Sequence, residues 1–201
     1  MKTSPARVVL VDDQNKSTTR KQQPSSMHEK LCATGFFVLD VVNEIDGLVS
    51  IVTRLKPDVL ILSTEEVGKK TLEELRNLHR LNPAPVLICA QKYTNDTLPV
   101  LLSAGVDGFV FDDVAAVKLP MLIDLAIARF TQLQSLNSQL QKTQEQLSER
   151  KLVEKAKGVL MQQKGLSEAD AYAHMRRSAM NQGQSMAALS KQIIAVFELL
   201  E

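Results

Sequence analysis

Apolar residues are arranged differently in the two halves of the chain. In the first half they form short continuous runs: "RVVLV" (7–11), "FFVLDVV" (36–42), "DVLIL" (58–62), "PVLICA" (85–90) and "GFVF" (108–111). Runs of this length without alternation fit strands covered on both faces, and the segments between them fit right-handed helical crossovers. The pattern predicts an α/β domain of flavodoxin-like type, a doubly wound five-stranded parallel sheet with ligand sites at the carboxyl ends of its strands. One stretch breaks the rhythm. "QNKSTTRKQQPSS" (14–26) is polar and interrupted by Pro24, which predicts a long mobile loop before a short helix near Met27–Ala33.

From about Leu119 the period changes to that of a helix. Pro120 fits a first-turn position, and no further Gly or Pro occurs until Gly158. "MLIDLAIARF" (121–130) would pack on the sheet as its last helix. Leu133, Leu136, Leu140 and Leu147 then fall on a and d heptad positions, with Thr143 and Arg150 weakening the series, which predicts a coiled-coil segment that pairs two copies. The helix is expected to run to Lys164 and stop at Gly165. Ser167 with Asp170 three residues on resembles a capping box and opens a second helix through about Met180, and Ser185 caps a third. Leu152, Ala156, Val159 and Leu160 make the apolar stripe of the first helix, Ala171, Met175 and Ala179 that of the second, and Met186, Leu189, Ile193, Ile194 and Phe197 that of the third. The domain boundaries that follow are 1–130 for the α/β domain, 131–150 for the coiled-coil linker and 151–201 for a small all-α three-helix domain.

Composition adds little by itself: 44% hydrophobic and 23% charged residues with a net charge of +1 describe an ordinary soluble protein. The distribution of charge adds more. Between Arg150 and Lys191 stand Arg150, Lys151, Lys155, Lys157, Lys164, Arg176, Arg177 and Lys191 against Glu154, Glu168 and Asp170, so 8 − 3 = +5. Such a local excess suits a polyanion. Cys32 and Cys89 lack metal-ligand spacing and lie among apolar residues, so both are expected as buried free thiols in a reducing cytosol. "VVLV" is too short for a signal-peptide core, and no run of ~20 apolar residues offers a membrane span, so a cytoplasmic location is expected.

The first half resembles the receiver domains of two-component systems. "VVLVDDQ" places Asp12 and Asp13 where receivers hold the acidic pair for a divalent cation. At the remaining positions the resemblance breaks down: Ser63 stands where receivers carry the phosphoaccepting aspartate, Ala90 where a Thr or Ser hydroxyl reads the phosphoryl group, and Asp112, followed by Asp113, where a lysine is usual. An aspartyl phosphate needs a carboxylate nucleophile, a cation to offset its charge and a cationic side chain to stabilise it. Ser63 lacks the carboxylate and Asp112 has the wrong sign. The domain therefore reads as a pseudo-receiver controlled by binding rather than by phosphate. Asp12 and Asp13 read as solvated carboxylates at a strand end, with no metal, no cofactor and no enzymatic acid–base set.

The last third, in "AKGVLM", the glycine at 165, "SEADAY" and "MRRSAM", resembles the ANTAR family of transcription antiterminators in order and spacing. With the receiver-like half in front, the chain apart from 14–26 is similar to the NasT-type regulators of nitrate and nitrite assimilation. That branch often keeps an aspartate where Ser63 stands here. The resemblance implies an RNA-binding antiterminator that holds paired hexaloop hairpins of a nascent leader transcript, so that the terminator does not form and the elongating RNA polymerase continues. It also implies a nitrate-sensor protein that sequesters the regulator, and a homodimer matching the two loops. The side chains expected to contact RNA are Lys151, Lys155, Lys157, Arg176, Arg177 and Lys191. Lys151, Lys155 and Gln162 share a helical face with Gly158, whose small size would let another backbone approach. Guanidinium groups bind phosphate bidentately and stack on splayed bases. Tyr172 is expected in the core with Met175, and His174 on the surface. Two other readings stay open: a DNA-binding response regulator, disfavoured by a third helix with almost no charge, and a protein-interaction adaptor.

Overall fold

The computed structural model describes residues 5–13, 26–92, 97–111 and 114–198. In chain order they form β1 (Arg7–Asp12), α1 (Ser26–Ala33), β2 (Phe37–Val42), α2 (Leu48–Leu55), β3 (Val59–Thr64), α3 (Lys69–Leu81), β4 (Val86–Ala90), α4 (Thr97–Ser103), β5 (Gly108–Phe111), α5 (Leu119–Lys164), α6 (Glu168–Asn181) and α7 (Met186–Glu198). Most of the polar stretch at 14–26, and the pair Asp112 and Asp113, lie outside the described residues. The five strands are parallel in the order β2-β1-β3-β4-β5. The fold is the receiver-type doubly wound sheet, and its chain reversal places the carboxyl ends of β1, β3 and β4 side by side.

The two faces of the sheet follow from strand alternation. Val9, Val11, Leu60, Leu62, Val86 and Ile88 pack with Leu48 and Val52 of α2, Leu75 and Leu78 of α3 and Leu101 of α4. Their neighbours Val8, Leu10, Val59, Ile61, Leu87 and Cys89 pack on the opposite face with Met27 and Leu31 of α1 and with Leu119, Ile123 and Ala126 of α5. At Gly105 (φ +84) a Cβ would stand 2.2 Å from His79 Nδ1, so only glycine lets the turn before β5 close on α3.

The chain divides into two compact units, Met1–Gln134 and Ser135–Glu201. In the second, Ala156 and Leu160 of α5, Ala171, Met175 and Ala179 of α6, and Leu189 and Ile194 of α7 form a separate core. Gly165 adopts φ 64 just after Lys164 and ends α5, because that left-handed conformation is open to glycine without strain. Ser167 caps α6 reciprocally: its Oγ accepts from Asp170 N at 3.2 Å and donates to Asp170 Oδ2 at 2.6 Å. Ser185 Oγ accepts from Ala188 N at 3.1 Å at the start of α7. No helix of the described residues is long and apolar enough to cross a membrane.

Of the two cysteines expected to be buried, one is not. Cys32 is exposed, with its Sγ 3.7 Å from His28 Nε2, because α1 turns Met27 and Leu31 inward and leaves Cys32 on the outer face. Cys89, inside β4, is buried, and desolvation pushes its thiol up to about 12. Titration of the native protein with a thiol reagent at pH 7.5 should therefore modify Cys32 alone. Cys89 should react only after unfolding, and labelling of both sites in the folded state would contradict this burial.

Candidate nucleic-acid interface and the degenerate phosphorylation site

The carboxyl ends of the strands are where a receiver would carry its phosphorylation site. Asp12 pairs in register with Ser63, and Ser63 with Cys89, while Thr64 lies beside Ala90. The sheet thus brings Asp12, Ser63 and Ala90 together, at 2%, 4% and 1% exposure. Asp12 is therefore not the solvated carboxylate expected from the sequence: the last residue of a central strand is covered by its neighbours. Of the acidic pair's companions, Ser63 offers a hydroxyl and Ala90 a methyl group. Among the described residues no group of three His, Cys, Asp or Glu could hold a metal ion.

A feature of this site absent from the sequence reading is an ion pair just beyond it. Gln91 N and Lys92 N donate to Glu65 O at 3.2 and 2.8 Å, which prolongs the pairing of β3 and β4 past Thr64 and Ala90. Lys92 Nζ then meets the Glu65 carboxylate, which is held below its ordinary value by that hydrogen bond, while the Lys92 ammonium is raised by it. Both groups are exposed, so the pair adds little stability. The signal was available in the spacing, since each residue lies two past a strand-end position already singled out.

In the second unit the basic side chains separate into three groups. Lys151, Lys155 and Gln162 lie exposed on one face of α5, on the side opposite Ala156 and Leu160. Gly158 shares this face, and beyond its chain neighbours and the adjacent backbone of α5 no described atom lies within 4 Å of where its Cβ would stand. Arg176 and Arg177 leave α6 exposed, and Lys191 leaves α7 exposed. Lys157 differs from all of these. Its side chain is only 11% exposed and bridges Glu154 Oε2 at 2.6 Å and Glu168 Oε1 at 2.7 Å, tying α5 to the first turn of α6. It is placed as a brace between two helices rather than as an open contact for a polyanion. Tyr172, expected in the core, is 48% exposed, because the inner side of α6 is already filled by Ala171, Met175 and Ala179. His174 is exposed as expected.

The brace gives unit two a pH dependence. Hydrogen bonds donated to Glu154 and Glu168 raise the Lys157 ammonium above its ordinary 10.5, and Lys157 holds the Glu168 carboxyl below its ordinary 4.5. A depressed carboxyl contributes stability that is present above 4.5 and lost as pH falls through the folded value. A raised ammonium contributes stability that is present below 10.5 and lost as pH rises through its folded value. Glu168→Gln should therefore melt earlier than the parent at pH 7, with the gap narrowing as pH falls below 4.5. A gap that does not narrow at all on acidification would place the effect of the substitution elsewhere.

These features define a class: a receiver-type α/β domain followed by a basic three-helix unit. Residues 141–194 match the ANTAR domain family, downstream of a unit with a receiver-like fold. The transcriptional regulatory protein PdtaR of Mycobacterium tuberculosis H37Rv is 23% identical over 190 residues, covering 94% of this chain and 90% of that protein. The nitrate regulatory protein of Klebsiella oxytoca is 31% identical over 125 residues, covering 62% of this chain but 31% of that protein. Solved structures bear out the fold of the first unit. The signal receiver domain of a modulated diguanylate cyclase from Desulfovibrio desulfuricans G20 superposes with a TM-score of 0.52 at 19% identity, covering 64% of this chain and 98% of the other. A CheY-like receiver domain from Methanospirillum hungatei JF-1 gives 0.51 at 16% identity, covering 64% and 98%. Both relatives by sequence are named as regulatory proteins.

Proposed function

We propose that this protein is an RNA-binding transcription antiterminator that grips paired hairpin loops of a nascent leader transcript through its three-helix unit. The observation that carries this reading is the exposed cationic set Lys151, Lys155, Arg176, Arg177 and Lys191 within the ANTAR match, the last three in a stretch where no carboxylate occurs between Asp170 and Glu198. An exposed cationic surface attracts a phosphate backbone and gains from releasing that backbone's condensed ions. Lys157 acts beneath this surface by holding α6 against α5.

In this reading the pseudo-receiver answers to a bound protein instead of phosphate, since Ser63 and Ala90 replace the groups that would accept and read it. A nitrate or nitrite assimilation operon is the proposed target and a nitrate-sensor protein the proposed sequestering partner, both suggested by the likeness to the Klebsiella oxytoca nitrate regulatory protein. Leu133, Leu136, Leu140 and Leu147 of α5 are 46–58% exposed at heptad spacing. A second copy is proposed to cover them, so that two modules meet two loops. The test is a binding titration against a leader RNA with two hexaloop hairpins, beside the same RNA with scrambled loops and a duplex DNA of equal length. Loop-dependent binding is expected. Equal, salt-sensitive binding to all three would reduce the surface to a merely basic one, and no binding would favour an adaptor of protein partners.

A further inference from the structure

We propose that the outer stripe of α6, formed by Tyr172, Arg176 and Met180, is the strip that contacts unpaired bases, with the Tyr172 ring stacking on one of them. This rests on the RNA reading above and says which side chains meet bases rather than phosphates. The three residues stand at i, i+4 and i+8, one turn above another on the same side of the helix. Tyr172 is 48% and Met180 72% exposed, although the inner side of α6 is closed by Ala171, Met175 and Ala179 at 0–4%. Two large apolar side chains thus face water around a guanidinium, on a helix that has no room left for them inside. The Tyr172 hydroxyl bonds to none of the described residues, so no hydrogen bond holds the ring in place for the fold.

Charge decides which occupant fits. From Ala171 to Phe197 the only formally charged residues are Arg176, Arg177 and Lys191, and among the described residues neither arginine has an ion-pair partner. Glu168, one turn before Tyr172 on the same side, is engaged by Lys157, and an apolar stripe followed only by cations matches a ligand that is anionic along its backbone and flat and apolar along its side. A single-stranded nucleic-acid loop has both properties. The open face of α5 offers lysines, which act as point charges towards phosphate. The stripe of α6 instead offers a phenol ring, a guanidinium plane and a polarizable thioether, all suited to the faces of bases. The division of labour is therefore phosphates to Lys151 and Lys155, bases to the α6 stripe.

The chain has no tryptophan and two tyrosines, Tyr93 and Tyr172, so in a Tyr93→Phe variant the tyrosine emission comes from Tyr172 alone. Titrating that variant with the two-hairpin leader RNA should quench the emission as binding saturates, and RNA with scrambled loops should quench it less. Tyr172→Ala should weaken loop-dependent binding about tenfold to hundredfold at constant salt dependence, and Tyr172→Phe, which keeps the ring, should bind like the parent. Lys151→Gln, by contrast, should lower the slope of log affinity against log salt by about 0.7. Unchanged emission at saturation, or Tyr172→Ala binding within twofold of the parent while the parent still tells true loops from scrambled ones, overturns the stripe and leaves the RNA reading standing. A parent that makes no such distinction overturns the RNA reading itself. The emission titration uses an intact α6, so it decides the matter even if Tyr172→Ala does not fold.

Discussion

Reversing two charges together, Arg176→Glu with Arg177→Glu, is expected to abolish loop-dependent RNA binding while leaving the helices intact. Both side chains are exposed and leave α6 where no carboxylate follows before Glu198. The double change alters the local charge by four units and sets two repulsive groups against the phosphate backbone. It also removes two guanidinium planes, each of the kind that contributes roughly 1–3 kcal/mol at a base contact. Affinity should fall at least about a hundredfold near physiological salt, and the salt dependence should flatten. Because the positions are solvent-exposed, the thermal midpoint should move little. The measurement is a pair of titrations with circular dichroism alongside. Binding within threefold of the parent, with the helices preserved, would make the arginine pair a solvated face and return the RNA contacts to α5 alone.

The largest expected effect on stability lies directly beneath that surface. Met175 has no exposure and sits between Ala156, Ala171 and Ala179 in a core whose other buried members are Leu160, Leu189 and Ile194. Three alanines let the helices approach closely, which leaves Met175 to fill most of the space between them. Met175→Ala should leave a cavity that so small a unit cannot close, at a cost of about 2–5 kcal/mol. Amide hydrogen exchange in α6 and α7 should accelerate strongly, with exchange in β1, β3 and β4 unchanged. RNA affinity should fall as well, because Arg176 is the residue that follows Met175. Protection of α6 equal to that of the parent would mean that the unit repacks around the vacancy.

The elements read most directly from the sequence are those with a local cause. The strands announced themselves as apolar runs because both faces of a parallel sheet are covered, and Val8 to Val11 are all buried. The ends of α5 were marked by Pro120, tolerated in a first turn, and Gly165, suited to a left-handed cap. The missing carboxylate at the end of β3 was legible too, because it depends on residue type alone: Ser63 is not a carboxylate in any conformation.

Four features were not legible, each for the same reason. Cys32 and Tyr172 lie next to buried Leu31 and Ala171 on their helices, and a few tens of degrees of helix rotation decide which neighbour faces in. Asp12 is polar by type but buried by its place at the end of a central strand. Lys157 was one lysine among several until Glu168, eleven residues away and on another helix, came within 2.7 Å of it.

The sequence by itself therefore determined the order and type of the elements, the family to which the basic helical unit belongs, and the absence of a phosphoaccepting carboxylate. These follow from residue type and from spacing along a single element. Only the tertiary structure decided which cations remain open to a ligand and which serve the fold, and which aromatic ring reaches the surface. Burial and ion pairing are properties of the packing between elements, which no stretch of chain carries alone.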